Sequence, residues 1–225
     1  MIQLQIQQIQ DKIKLAKERS AASANSVQVI AVTKQLSIEK TQTVIESGLL
    51  HLGENRPQSF LEKVEALDKK ISWHFIGSLQ TRKVRDVIDH INYLHSLDRM
   101  SLATEIQKRA SQPVRCFIQV NVSGEESKHG LPMQEVQDFI NAIKEMDRIV
   151  PVGFMTMAPL NASPEAIRIQ FKTLRELRDD LIAEKVVGES FTELSMGMSD
   201  DYEIAVEEGA TYVRIGTALV GSLKE

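Results

Sequence analysis

Eight short apolar runs recur along the 225 residues, and every one but the last gives way to a stretch with helical spacing. The runs lie at 27–33, 49–54, 72–77, 91–98, 114–122, 150–159, 191–199 and 211–221. Strands that alternate with helices need right-handed crossovers and form a parallel sheet. Eight such units in a chain of this length fit a (β/α)8 barrel. An open doubly wound sheet competes, but no Gly-x-Gly-x-x-Gly follows the first run and no linker divides the chain. The expected fold is therefore α/β, a single TIM-type barrel domain over residues 1–225. Ahead of the first run, Ile2, Ile6, Ile9, Ile13 and Ala16 keep helical spacing. They predict an extra N-terminal helix over roughly 2–20, able to fill the place on the outer ring left without a helix after the last strand.

Composition narrows the functions. The net charge of -4 gives no basic surplus for nucleic acid or anionic lipid. The cluster Arg82, Lys83 and Arg85 reads as a solvated helix face. Cys116 is the one cysteine, so an intrachain disulfide and a metal site built on cysteine pairs are both excluded. The five histidines, at 51, 74, 90, 95 and 129, lack metal-ligand spacing and read as structural or solvated. No apolar run reaches the ~18 residues of a membrane span, and the N-terminus lacks the pattern of a signal peptide. A cytoplasmic protein is expected.

Barrel active sites gather at the C-terminal ends of the strands. The run "VIAVTK" ends in Lys34, just before a helix capped by Ser37 and closed by Gly48. At the same mouth the last two strands end in "SMGMS" at 195–199 and "RIGT" at 214–217. Glycines let backbone N–H groups approach an anion, hydroxyls add donors, and the helix after Ser199 turns its positive end the same way. Loops in these positions are the usual phosphate cradle of such barrels. A lysine in a partly dry pocket becomes a nucleophilic amine. An amine facing a phosphate cradle outlines either a pyridoxal 5′-phosphate site or an aldolase-type site for a sugar phosphate. Arg214 favours the first. An arginine against the pyridine nitrogen keeps that nitrogen unprotonated, whereas a sugar phosphate needs no such group.

Six ordered motifs then carry a resemblance over essentially the whole chain: "AVTK" at 31–34, "HLGEN" at 51–55, "WHFIGSLQ" at 73–80, "FMTMAP" at 154–159, "ELSMGMSDD" at 193–201 and "VRIGTALVG" at 213–221. The sequence resembles the pyridoxal phosphate homeostasis proteins, which look like the barrel domain of alanine racemase standing alone. The resemblance implies that Lys34 is the Schiff-base lysine and that Ser195, Gly197, Gly216 and Thr217 hold the phosphate. It places Arg214 against the pyridine nitrogen, Asn55 and His74 along the cofactor, and Met155 against its ring. Ser78 and Arg82 depart from the Pro and Asn often found in the family, at the edge of the mouth. The stretch after Asn55 also lacks the expected tyrosine.

The resemblance further implies a carrier or regulator without clear catalytic activity. Racemisation needs an acid/base group on each face of the substrate. Of the three tyrosines, Tyr93 falls within the fourth strand and Tyr212 starts the last strand at the wrong end. Only Tyr202, at a helix start, is placed to serve, and no residues remain for a second domain. The expected function is to buffer and deliver pyridoxal phosphate from an open mouth, as a monomer, to recipients that the sequence does not name. A racemase or Schiff-base lyase is the alternative. The polar loop 123–130 follows the fifth strand within reach of the mouth, and nothing in the sequence fixes its role.

Overall fold

The computed structural model describes residues 2–22, 24, 26–67, 70–125, 128–159 and 161–223. Its strands are β1 (Gln28–Val32), β2 (His51–Glu54), β3 (Ser72–Phe75), β4 (Tyr93–Leu97), β5 (Val114–Asn121), β6 (Leu131–Pro132), β7 (Ile149–Met155), β8 (Glu193–Ser195) and β9 (Tyr212–Ile215). Every pairing is parallel, in the order β4-β3-β2-β1-β9-β8-β7-β5, and β4 also pairs with β5. That last pairing closes the sheet into the expected barrel, with the two-residue β6 added beside β5.

The helices are α1 (Ile2–Glu18), α2 (Ile38–Glu46), α3 (Pro57–Ala66), α4 (Val84–Val87), α5 (Met100–Arg109), α6 (Val136–Ile143), α7 (Pro164–Ala183), α8 (Tyr202–Glu207) and α9 (Thr217–Val220). Ser37 caps α2, its hydroxyl accepting from Lys40 N at 3.2 Å, and Gly48 follows the helix at φ +94. The expected end of α3 near Asp68 lies outside the described residues. Helix α1 buries Ile2, Ile6, Ile9, Ile13 and Ala16 and packs on α8 and α9, where the ring had room for it. Arg19, just past the end of α1, reaches Glu203 and Glu207 of α8, and Arg168 and Arg175 of α7 reach Glu208 at the end of α8, tying the three helices together at the surface.

Three elements depart from the sequence expectation. The segment 80–89 is short helical turns rather than one helix. The seventh run, 191–199, is strand only to Ser195, because Gly197 turns the chain at φ +92. The last run, 211–221, is strand only to Ile215, and Thr217–Val220 coil into α9, so a short helix does follow the last strand.

Strand pleat sorts side chains by parity. Leu52, Trp73, Phe75, Leu94 and Leu194 are buried in the apolar layer that includes the helices. Their neighbours point inward, where the rings of His51, His74, Tyr93, His95, Phe117 and Tyr212 lie against one another. The stacked branched aliphatics usual inside such barrels give way here to a polar, aromatic filling.

Candidate functional site

A cavity of about 410 Å³ opens at the C-terminal mouth of the barrel. Lys34 and Asn55 line it from one side, and Arg214, Gly216 and Thr217 from the other. Strand pairing explains why they meet. β1 lies beside β9 with Ala31 opposite Ile215, so the turn carrying Lys34 rises next to the turn at Gly216. The Lys34 side chain is exposed at the rim rather than in a dry pocket, with no ion pair or hydrogen bond among the described residues.

A buried ion pair outside the barrel wall fixes the lysine's turn. Lys63 Nζ donates to Glu54 Oε1 at 2.6 Å and to the Thr33 carbonyl at 2.7 Å. Thr33 Oγ1 donates to the same carboxylate oxygen at 2.7 Å. The Thr33 carbonyl also accepts from Leu36 N at 2.8 Å, closing the turn that holds Lys34. Glu54 is fully buried, and its Oε2 has no partner among the described residues.

Across the mouth, Ser199 Oγ accepts from Gly216 N at 3.3 Å and from Ala218 N at 3.2 Å. This hydroxyl joins the two loops and lines the cavity. It stands in the singled-out "SMGMS" run, where nothing in the pattern sets it above Ser195. Gln119 also lines the cavity, and its only signal was a polar residue inside the apolar run of β5. Gly77 permits close approach at the rim, since a Cβ there would lie 2.4 Å from the Asn55 carbonyl oxygen.

Four residues assigned to the cofactor stand behind this wall. His74 is fully buried, its Nε2 2.9 Å from His51 Nδ1 and its Nδ1 2.9 Å from His95 Nε2. Met155 is buried beneath the mouth, where Met157, two residues on, lines the cavity. Ser195 is fully buried, its hydroxyl 2.8 Å from His95 Nδ1 and 2.6 Å from Arg214 Nη1. A Cβ on Gly197 would lie 2.6 Å from Ala205 Cβ, so packing against α8 sets the need for glycine there. The physical reason is depth: at ~3.3 Å per residue, two positions along a strand move a side chain a whole layer.

Arg214 bridges the layers. Its Nη1 donates to the Ser195 carbonyl at 2.8 Å as well as to the hydroxyl, and its Nη2 donates to the Thr156 carbonyl at 2.8 Å. Burial pulls the guanidinium down to about 10, while Asp201 acts in the opposite direction. Asp201, the residue before α8, accepts from Met198 N at 2.5 Å and so ties back the loop that leads into the helix.

None of the three tyrosines lines the cavity. Tyr202 is buried at the start of α8, and burial pushes its phenol up to about 12. The hydroxyls of Tyr93 and Tyr212 meet at 3.3 Å toward the opposite end of the barrel. Of the departures from the family pattern, Ser78 lines the cavity, and Arg82 is exposed with its Nε bonded to Gln80. In the loop over the mouth, His129 lines the cavity and its carbonyl accepts from Gln119 Nε2 at 3.2 Å. Glu126 and Ser127 of that loop lie outside the described residues. No group of three metal-ligating side chains occurs among the described residues, and no described helix is long and apolar enough to cross a membrane.

The chain is thus a closed parallel barrel whose one mouth carries a lysine after β1 and a Gly-Thr turn after β9. A family profile described as "Alanine racemase, N-terminal domain" matches residues 4–224. The chain is 42% identical over 223 residues to the pyridoxal phosphate homeostasis protein of Aquifex aeolicus, covering 97% of each. It is 35% identical to the protein of the same name from Pseudomonas aeruginosa, covering 96% of this chain and 94% of that one. The chain belongs to the pyridoxal phosphate homeostasis proteins, within the alanine racemase N-terminal-domain family.

Among solved structures, PipY of Synechococcus elongatus with pyridoxal phosphate bound superposes with a TM-score of 0.84 at 27% identity, covering 97% of this chain and 99% of that one. Alanine racemase from Bacillus anthracis shares the fold at a TM-score of 0.68 and 16% identity. There the match covers 94% of this chain and 55% of that one.

Proposed function

We propose that this protein binds pyridoxal 5′-phosphate and buffers it for delivery, with Lys34 as the covalent anchor. The observation that carries this reading is the shared cavity: an unpaired amine on one side, and Gly216, Thr217 and Ser199 on the other. The donor set fits the cofactor. The lysine is available to its aldehyde, and the Gly216–Ala218 turn with the Ser199 and Thr217 hydroxyls is available to its phosphate. Arg214 has five N–H donors, three of them committed to the barrel wall. The remainder serve the ring, with Asn55 at its side.

When bound, the cofactor supplies a reactive aldehyde and an electron-withdrawing ring. Arg214, a donor-only group, would hold the ring nitrogen unprotonated and so leave the ring a weak electron sink. Lys34 stands at an exposed rim, which admits water and competing amines and suits exchange better than proton abstraction. A racemase would need a second acid/base group held firmly at this cavity; no tyrosine lines it, and the titratable side chains that do besides Lys34 and Arg214, His129 and Asp200, are exposed on loops. The carrier reading therefore takes precedence over racemase or lyase activity, and we propose a cytoplasmic monomer. The test mixes the loaded protein with L-alanine. Release of cofactor without accumulation of D-alanine fits the proposal, and sustained formation of D-alanine defeats it.

A further inference from the structure

Arg214 is a buried cation with no ion-pair contact to a carboxylate among the described residues. Asp201 acts on it only from a distance and two of its bonds go to backbone carbonyls; the third opens a line of hydrogen bonds behind it. A guanidinium only donates, so Ser195 Oγ accepts from Nη1 at 2.6 Å. The Ser195 hydroxyl keeps one hydrogen of its own, and its other partner is His95 Nδ1 at 2.8 Å. With a proton on His95 Nδ1, that buried hydroxyl hydrogen would have no acceptor, an arrangement that folded interiors avoid. His95 therefore carries its hydrogen on Nε2 and donates to His74 Nδ1 at 2.9 Å. By the same step His74 donates from Nε2 to His51 Nδ1 at 2.9 Å.

We infer that Ser195, His95, His74 and His51 are positioning residues for Arg214: one polarised column in which every donor points away from the guanidinium. Each acceptor end faces the charge, so the column solvates Arg214 where water does not, and bonds aligned in this way strengthen one another. It crosses the barrel interior from the cavity to His51, the first residue of β2 at the opposite mouth. The role of Arg214 toward the cofactor rests on the reading above; the column itself does not.

The column couples its two ends. His51 Nδ1 is taken by the His74 donor, so a proton added there opposes that donor and forces the line to reverse against Arg214. Linkage makes the effect reciprocal. The groups facing His51 are His74 and Tyr212, with Tyr93 beside them, Arg115 over the Tyr93 ring, and Glu193 acting on Tyr212. Burial lowers the pKa of all three histidines. His51 adds to the effect at His74, and His74 and Arg214 add to it at His95.

The test uses cofactor-free, ¹⁵N-histidine-labelled protein. Long-range ¹H–¹⁵N correlations report which ring nitrogen carries hydrogen, with the exposed His90 and His129 as internal references. At neutral pH, His95 and His74 are expected with hydrogen on Nε2 alone. Ser195→Ala should release His95 to either tautomer and move the titration of His51 upward, and Ser195→Thr should restore both. Hydrogen on Nδ1 of His95 or His74 in the unaltered protein overturns the column, as does a His51 titration that Ser195→Ala leaves in place. The unaltered protein decides the tautomers even where the alanine variant does not fold. Failure of the cofactor reading would show separately, as an intact column in a protein that traps nothing on Lys34.

Discussion

Replacing Lys63 by Met removes the cation that satisfies both Glu54 and the Thr33 carbonyl while keeping most of the side-chain volume. In the native protein Nζ makes two buried hydrogen bonds, at 2.6 and 2.7 Å. Among the described residues, the variant leaves a fully buried carboxylate with the Thr33 hydroxyl as its one remaining donor, because Oε2 has none. Breaking a buried pair from one side costs about 3–5 kcal/mol, a large share of the roughly 5–15 kcal/mol that holds a domain together. A urea melt followed by circular dichroism should show the midpoint falling by about 1–2 M. Lys63→Met combined with Glu54→Gln should recover at least half of the loss, since the buried charge is then gone and the amide can still accept from Thr33. The pair also holds the turn of Lys34, so borohydride-trapped cofactor should fall in the single variant even where it remains folded. A loss of less than about 1 kcal/mol in Lys63→Met, or a double variant worse than the sum of its parts, would refute this reasoning.

Other outcomes follow from the same geometry. Ser199→Ala removes the acceptor shared by Gly216 N and Ala218 N and should weaken cofactor binding about fivefold, read by fluorescence titration, with little change in thermal stability. Gly197→Ala combines a φ of +92 with a contact of 2.6 Å and should cost about 2–4 kcal/mol by denaturant melt; a neutral result would show that α8 yields. Cys116 is buried and its thiol pushed up to about 12, so alkylation at pH 8 should require denaturant. The folded-state pKa values of His74 and His95 lie below the unfolded value. Their stabilising contribution is therefore complete above about pH 6.5 and is lost as the pH falls below it. Two such protons set a limiting slope of about 2.7 kcal/mol per pH unit, and a stability profile flat from pH 6.5 to 5 would contradict the burial of both rings.

The barrel was legible because alternation of strand and helix is a local property of the chain, and the closing pairing of β4 with β5 follows once eight parallel strands exist. Lys34 and the Gly216–Thr217 turn were legible because strand ends fall at one mouth by topology alone. Depth was not legible. His74, Met155 and Ser195 have the correct inward parity, yet each lies below a residue that lines the cavity or joins its loops: Ile76, Met157 and Ser199. Parity follows from the pleat, whereas the height of the mouth depends on strand tilt and on where loops fold over it. The histidine column had no sequence signal either. His51, His74 and His95 are more than twenty residues apart in succession and meet only because β2, β3 and β4 are adjacent. The buried Glu54–Lys63 pair was hidden for a similar reason, since its lysine sits on a helix face that composition alone marks as solvated.

The central claim is that the amine after β1 holds an aldehyde whose phosphate rests on the turn after β9. Incubation with pyridoxal 5′-phosphate, reduction with borohydride and peptide mapping by mass spectrometry tests it most directly. One dominant adduct is expected, on Lys34, lost in Lys34→Ala and reduced by competing inorganic phosphate. An adduct spread over surface lysines, or one that survives Lys34→Ala undiminished, would contradict it.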